Sequence, residues 1–510
     1  MSWVNMDIVP FGAKGNRVNF MIRLNGELKK RITKNRVRLS EPQYSAPAIF
    51  SEGGEWPGDW QGRTMLALAY HCAVCEKDAF EKTFRQLKEI VSALDDYTNE
   101  DGYFGERFNG VYVNEQQISG NSWFLRGLCE YYKLSSDANI LNRLDRISET
   151  YLSRLKDFYS NYPKVKRENG AVDGHLQKQI VNGWLLSSDV GCAFIMLDGI
   201  TQVYEITKNV MLLPVIEEML NKFADIDYVQ YNCQTHAVLS GTRGVLRFYR
   251  LTKNERWLRL AVRNFEIYLN YGTTINYANF NWFGKPSWTE PCAIIDSLIV
   301  AQELFRFTGE RRYLEFMNRC YFNALRFSQR PNGGAGCDTC LNEQNNRLVV
   351  YMYEAYFCCS MRIAEGLCDL ALKGCIAYGN VIYIPLLVGF ENDLLSLHVE
   401  ECEDKIILHM YVKNECSAIK IYLPEYTEVQ SDRNYEISEG FVCLENCKGQ
   451  YDIIFSLKDH ISERMGRKLH MRGDWILFHK KNNMQASYER LVNCIEIPDQ
   501  NAVLKTELYL

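Results

Sequence analysis

Five cysteines and a glutamate lie within one apolar, aromatic stretch of the 510-residue chain. It opens with Trp288-Thr289-Glu290-Pro291-Cys292, passes Gly336-Cys337-Asp338-Thr339-Cys340 and closes with Tyr356-Phe357-Cys358-Cys359-Ser360-Met361-Arg362. Thiolates are soft, strongly donating ligands, and a mixed sulfur and carboxylate set is one that zinc accepts. Adjacent cysteines do not bridge to each other without distortion. Cys358 and Cys359 are therefore expected to point both sulfurs at one ion or one reaction centre. A bound cation would favour thiolate over thiol at neutral pH. Two readings stay open: a closed structural zinc clip pinning the last hairpins, and a catalytic centre that keeps a ligand or position available. Cys72-x-x-Cys75 also has ligand spacing, but it lies on an apolar helix with no second pair nearby and reads as core.

The other candidates are single residues in patterned loops. His236, in Gln234-Thr235-His236-Ala237-Val238, heads a helix, although a lone histidine there is more often a satisfied structural group. Asp189, after two serines, suits a helix N-cap equally well. Glu115 reads equally as a surface residue, and Asp59 follows a Gly- and Pro-rich loop that runs from Gly53.

The elements that position these residues follow from periodicity. Gln61 to His71 reads as a first amphipathic helix. One phrase then recurs: Tyr132-Lys133-Leu134-Ser135-Ser136-Asp137, Tyr204-Glu205-Ile206-Thr207-Lys208-Asn209, Tyr249-Arg250-Leu251-Thr252-Lys253-Asn254 and Phe305-Arg306-Phe307-Thr308-Gly309-Glu310. Each ends an apolar helix in a polar turn and leads into another helix, which is a repeated helical hairpin. Long patterned loops between the hairpins are of the kind that carry function on one face. Residues 50–372 are therefore expected to form an (α/α) barrel. Residues 1–49 read as an N-terminal extension, partly strand-like around Val18 to Leu24, with a solvated basic run at Lys29-Lys30-Arg31. Residues 373–510 show short alternating or β-branched runs, among them Val381-Ile382-Tyr383-Ile384 and Ala418 to Leu423, and read as a β-sandwich. Its cysteines (Cys402, Cys416, Cys443, Cys447, Cys494) read as small buried apolar residues.

Bulk properties narrow the classes. A net charge of −5 argues against nucleic acid as a partner. No apolar run is long enough to span a bilayer. The eighteen cysteines are scattered rather than set in a compact disulfide framework, and the first residues lack the basic start and apolar core of a signal peptide. A cytoplasmic enzyme with reduced thiols is the expectation. The oligomeric state stays open, a homodimer included.

Trp288-Thr289-Glu290-Pro291-Cys292-Ala293 resembles the Thr-Glu-Thr-Cys-Ala segment of the β-L-arabinofuranosidase family, glycoside hydrolase family 127. Cys358-Cys359-Ser360-Met361-Arg362-Ile363-Ala364 is similar to that family's Cys-Cys-Pro-Pro-Asn-Ile-Ala segment, and His236-Ala237-Val238 loosely to its Gly-His-Ala-Val motif. The resemblance implies an (α/α)6 barrel with a C-terminal β-sandwich. It implies zinc held by Glu290, Cys292, Cys358 and Cys359, with Cys358 as the nucleophile of a retaining glycosidase. It also implies an oligosaccharide or glycoside substrate, with L-arabinofuranose at the non-reducing end as one candidate. Trp282, Trp288 and Tyr277 would line the sugar, with His236 and Asp59 beside them. The sequence departs from the family in one place: the family's acid/base glutamate, in a Gly-Glu-x-Phe motif, has no counterpart between Glu266 and Glu290. Asp189 is the first substitute for that role by loop position, ahead of Glu115 and Asp59. Cys337-x-x-Cys340 is a second departure and a source of an alternative zinc ligand. Two other classes fit the same scaffold: a sugar lyase or epimerase using Tyr277 or His236 as base, and a non-catalytic carbohydrate-binding protein with structural zinc.

Overall fold

Hairpin follows hairpin until the helices close into a ring. The computed structural model describes residues 22–51, 54–167, 174–350, 354–480, 489–490 and 506–509. Among these, twelve helices have ten residues or more: α1 (Gly26–Arg38), α2 (Asp59–Val74), α3 (Lys77–Ser92), α4 (Glu115–Ser135), α5 (Ala138–Thr150), α6 (Met196–Thr207), α7 (Leu213–Ala224), α8 (Thr235–Thr252), α9 (Glu255–Tyr271), α10 (Pro291–Thr308), α11 (Arg311–Cys320) and α12 (Cys359–Leu372). The even-numbered helices form the inner ring, each packed on the next, with α12 returning to α2. The odd-numbered helices lie outside them, α1 against α12. This is an (α/α)6 barrel followed by β-structure, as the sequence leads one to expect.

Position in the ring decides each helix's polarity. Outer helices bury one stripe, as α3 does with Thr83, Leu87 and Ile90. Inner helices are covered by ring neighbours on two sides and an outer helix behind. Hence α2, expected from its sequence to be amphipathic, is instead buried on nearly every side from Gln61 to Val74. Gly62 allows α2 and α4 to cross in backbone contact, since a Cβ there would meet Phe124 N at 2.1 Å and Trp123 C at 2.2 Å.

The extension read at residues 1–49 divides differently. Residues 1–21 lie outside the described residues, Arg23–Leu24 is a short strand, and the basic run that follows belongs to α1. That helix buries Leu28, Ile32 and Asn35, completing the outer ring while its lysines face away. After α12 the chain supplies eight strands of a nine-stranded sheet, in which Lys405–Tyr422 and Phe441–Leu457 pair antiparallel over most of their length and Arg23–Leu24 is the ninth strand, and most of a six-stranded sheet. The six-stranded sheet includes Arg347–Val350 from the barrel segment. Buried Asp474 fixes the β-region to the barrel by accepting from Arg319 Nε at 3.0 Å and from Tyr422 OH at 2.8 Å. No described helix is long and apolar enough to cross a membrane, and the described cysteines are free of disulfides. Cys494 lies outside the described residues.

Candidate active site

Alternating hairpins make all six inner helices run the same way, so their N-termini share one end of the barrel. The chemistry-bearing residues sit at those ends: Asp59 begins α2, Glu115 begins α4, His236 is second in α8 and Cys359 begins α12. Glu290 and Cys358 are the capping residues of α10 and α12. Pro291 at the first position of α10 suits a helix start, where no amide donor is needed. Helix N-termini carry partial positive charge and unsatisfied amides, an environment that favours carboxylate and thiolate.

The sulfurs converge. Cys292 Sγ lies 3.3 Å from Cys358 Sγ and 3.9 Å from Cys359 Sγ. Arg63 donates from Nη1 to Cys292 Sγ at 3.6 Å and from Nε to Asp59 Oδ1 at 2.6 Å. Bonds from Cys292 and Cys359, with Arg63 and His236 nearby, hold the Cys358 thiol well below its ordinary pKa despite burial. Burial pushes the Cys292 thiol the other way. Donor atoms of His236, Glu290 and Cys292 form a second group within 4.8 Å of one another. Burial and the Cys358 charge push the Glu290 carboxyl well above the usual carboxylate range. Glu290 Oε2 and His236 Nε2 are buried without a hydrogen-bond partner. Orphaned acceptors grouped with Cys292 are what a bound cation would satisfy, and the N, O and S donor set suits zinc.

The loop bearing Cys337 runs between these segments. Trp288 and Thr339 pair, Thr289 N donates to Asp338 O at 2.9 Å, and Ala335 N donates to Ser360 Oγ at 2.9 Å. Cys337 bonds the Cys359 side chain, whereas Cys340 is turned away to Asn279 O at 3.5 Å. Helix α1 braces the same loops: Asn35 Nδ2 donates to Gly333 O and Ser360 O, both at 2.9 Å, and Arg38 pairs with Glu354.

Other candidates are placed unevenly. Asp189 is buried, close enough to Glu290 to act on its charge, with Oδ2 against Gly174. Glu115 is fully buried rather than at the surface, and its carboxylate is occupied by Tyr162 OH, Arg167 Nη1 and Ser187 N. Those three donors, one of them a guanidinium, tie the carboxylate into the fold, which corrects its reading as a group free to meet a substrate. Tyr277 is engaged elsewhere too: its ring lies under Arg464 at 4.2 Å and its hydroxyl accepts from Arg319 at 3.2 Å, making a joint between barrel and β-region. Trp282 is buried and packs edge-on to the half-buried Trp288 at 4.7 Å, so Trp288 is the member of the pair with a face to offer.

Sequence reasoning missed the floor beneath the sulfurs. The guanidiniums of Arg63 and Arg362 lie 4.2 and 4.5 Å from the Trp123 ring centroid, and His236 stacks on the same ring. Below, buried Asp198, Asp296 and Glu365 neutralise Arg126, Arg243 and Arg362. The available signal was arginine and aspartate inside helices that have no solvent face.

Residues 277–372 match the family model described as Beta-L-arabinofuranosidase, GH127 catalytic domain. Comparison with curated proteins finds no match. Among solved structures, a GH127 β-arabinofuranosidase is similar at a TM-score of 0.65 and 12% identity, covering 91% of this chain and 84% of the other. One described as a glycoside hydrolase is similar at 0.64 and 12%, covering 90% and 82%. A GH127 β-L-arabinofuranosidase from Geobacillus stearothermophilus T6 follows at 0.59 and 11%, covering 90% and 81%. The matched segment carries Glu290, Cys292, Cys358 and Cys359 on a shared barrel, and the chain is similar to GH127 as a divergent relative.

Proposed function

We propose that this protein is a retaining glycoside hydrolase in which Cys358 is the nucleophile, acting on a terminal sugar, with β-L-arabinofuranosides as the first substrates to try. One observation supports this above the rest: Cys358 Sγ, at the start of α12, lies 3.3 Å from Cys292 Sγ within the segment that matches the GH127 model. Glu290, Cys292, Cys358 and Cys359 are the residues that would hold zinc, and their orphaned and convergent donors fit it. Bound zinc would supply positive charge that keeps the sulfurs deprotonated.

The residues divide the work. Cys358 Sγ attacks the anomeric carbon, a C–S bond forms, and the glycosidic C–O bond breaks with its electron pair going to the leaving oxygen. A carboxylic acid donates its proton to that oxygen, and we assign this to Asp189. Water then attacks the same carbon, its proton returns to Asp189, and Cys358 departs as thiolate, so two inversions give net retention. Arg63 sustains the charge on sulfur, and Trp288 offers an apolar face to the sugar. Shielding by the barrel keeps these groups in a low-dielectric setting where such interactions are strong.

The test is mass spectrometry of the protein quenched during turnover of a panel of aryl glycosides. A sugar-sized adduct on the peptide carrying Cys358 is expected. Cys358→Ser should fold as the parent does and lose activity by at least about 10³-fold. Full turnover by that variant would end the proposal.

A further inference from the structure

The donors at this end of the barrel fall into two groups with Cys292 in common, and the arrangement of His236 says what the second of them can hold. Asp296 is buried and held ionised by Arg243 Nη1 at 2.7 Å and Arg362 Nη2 at 2.5 Å. A carboxylate only accepts, so the proton in its 2.8 Å bond with His236 belongs to Nδ1. The neutral ring then presents a lone pair at Nε2, which is buried and has no hydrogen-bond partner. His236 is 2% exposed and Glu290 8%, and both aim an unpartnered atom at the group they form with Cys292. A histidine whose far nitrogen donates to a carboxylate is the arrangement that orients imidazole for a metal and raises its basicity.

Resting on the reading under Proposed function, we propose that His236 is itself a metal ligand through Nε2, joining Glu290 and Cys292. Cys292 belongs both to this group and to the three-sulfur group with Cys358 and Cys359. Asp296 and Ser240, which donates to Asp296 at 2.8 Å, act as positioning residues for the ring.

The experiment is zinc K-edge X-ray absorption on the full chain loaded with one equivalent of zinc, together with chelator competition. Outer-shell scattering from one imidazole is expected in the parent protein, lost in His236→Gln and kept in Cys358→Ser. Zinc affinity should fall by about 10-fold or more in His236→Gln. A parent spectrum of sulfur and carboxylate oxygen alone overturns the proposal, as does failure to retain zinc; the parent measurement needs no variant to fold. A Cys358 adduct with no imidazole signal would refute this assignment while supporting the hydrolase. An imidazole signal without any adduct would do the reverse.

Discussion

Replacing Asp296 by asparagine keeps the side chain's shape and removes one negative charge from beneath the site. The carboxylate is fully buried and accepts from Arg243, Arg362, Ser240 and His236. Against the upward push of burial, Arg362 and Arg243 hold its carboxyl far below the ordinary range. Three buried arginines are balanced by three carboxylates, so the substitution leaves one positive charge uncompensated. Each guanidinium at about 4 Å contributes about 4 kcal/mol at an effective dielectric of about 20, part of it offset by desolvation. Breaking such a buried pair costs about 3–5 kcal/mol. Urea unfolding should show that loss for Asp296→Asn. Arg362→Met in the same background should restore neutrality, so that the double variant is more stable than additivity predicts by at least about 1 kcal/mol. The sign with pH is fixed: a depressed carboxylate stabilises above its unfolded pKa of about 3.9 and loses that contribution only as pH falls through its folded value. The gap between parent and variant should therefore be constant from about pH 5 to 8. A variant within about 1 kcal/mol of the parent, or strictly additive losses, would refute the view of this floor as a charge-balanced unit.

Two further outcomes follow from local geometry. Burial, with Arg36 adding to it, lowers the pKa of His71 from 6.5 to about 3. The unfolded chain then binds the extra proton below about pH 6.5, so stability falls with pH from there, by about 2 kcal/mol at pH 5 relative to pH 8. His71→Gln should flatten that part of the profile; identical slopes in thermal unfolding across pH 4.5–7 would exclude His71 as its source. Gly62→Ala places a methyl group on the backbone of Trp123 and Phe124 and should cost about 1–3 kcal/mol or more, read as a lowered melting temperature with metal affinity reduced as Arg63 shifts. An alanine variant as stable as the parent would mean that the crossing of α2 and α4 is looser than drawn.

Much was legible because it is local. A vicinal cysteine pair and a Glu-x-Cys step carry their chemical meaning at any fold, and the hairpin phrase repeats often enough to specify a helical ring. The alternation after α12 likewise announces strands. Local patterns failed where burial depends on distant neighbours. The basic segment Lys29-Lys30-Arg31 reads as solvated, and its lysines are exposed, but the run does not disclose that Leu28, Ile32 and Asn35 seat the same helix on the barrel. Tyr277 looked like a sugar platform until Arg319 and Arg464 were found on its ring and hydroxyl.

The sequence by itself determined the donors: which sulfurs and carboxylates exist, and how closely they are spaced along the chain. Only the tertiary structure decided which of them meet. Ring closure brings the α12 cysteines to Cys292 across 66 residues and sets His236 beside Glu290, because six parallel helices share one end. It also buried the arginine and aspartate network below them, where charge must be matched within the interior and no periodicity along the chain records the match.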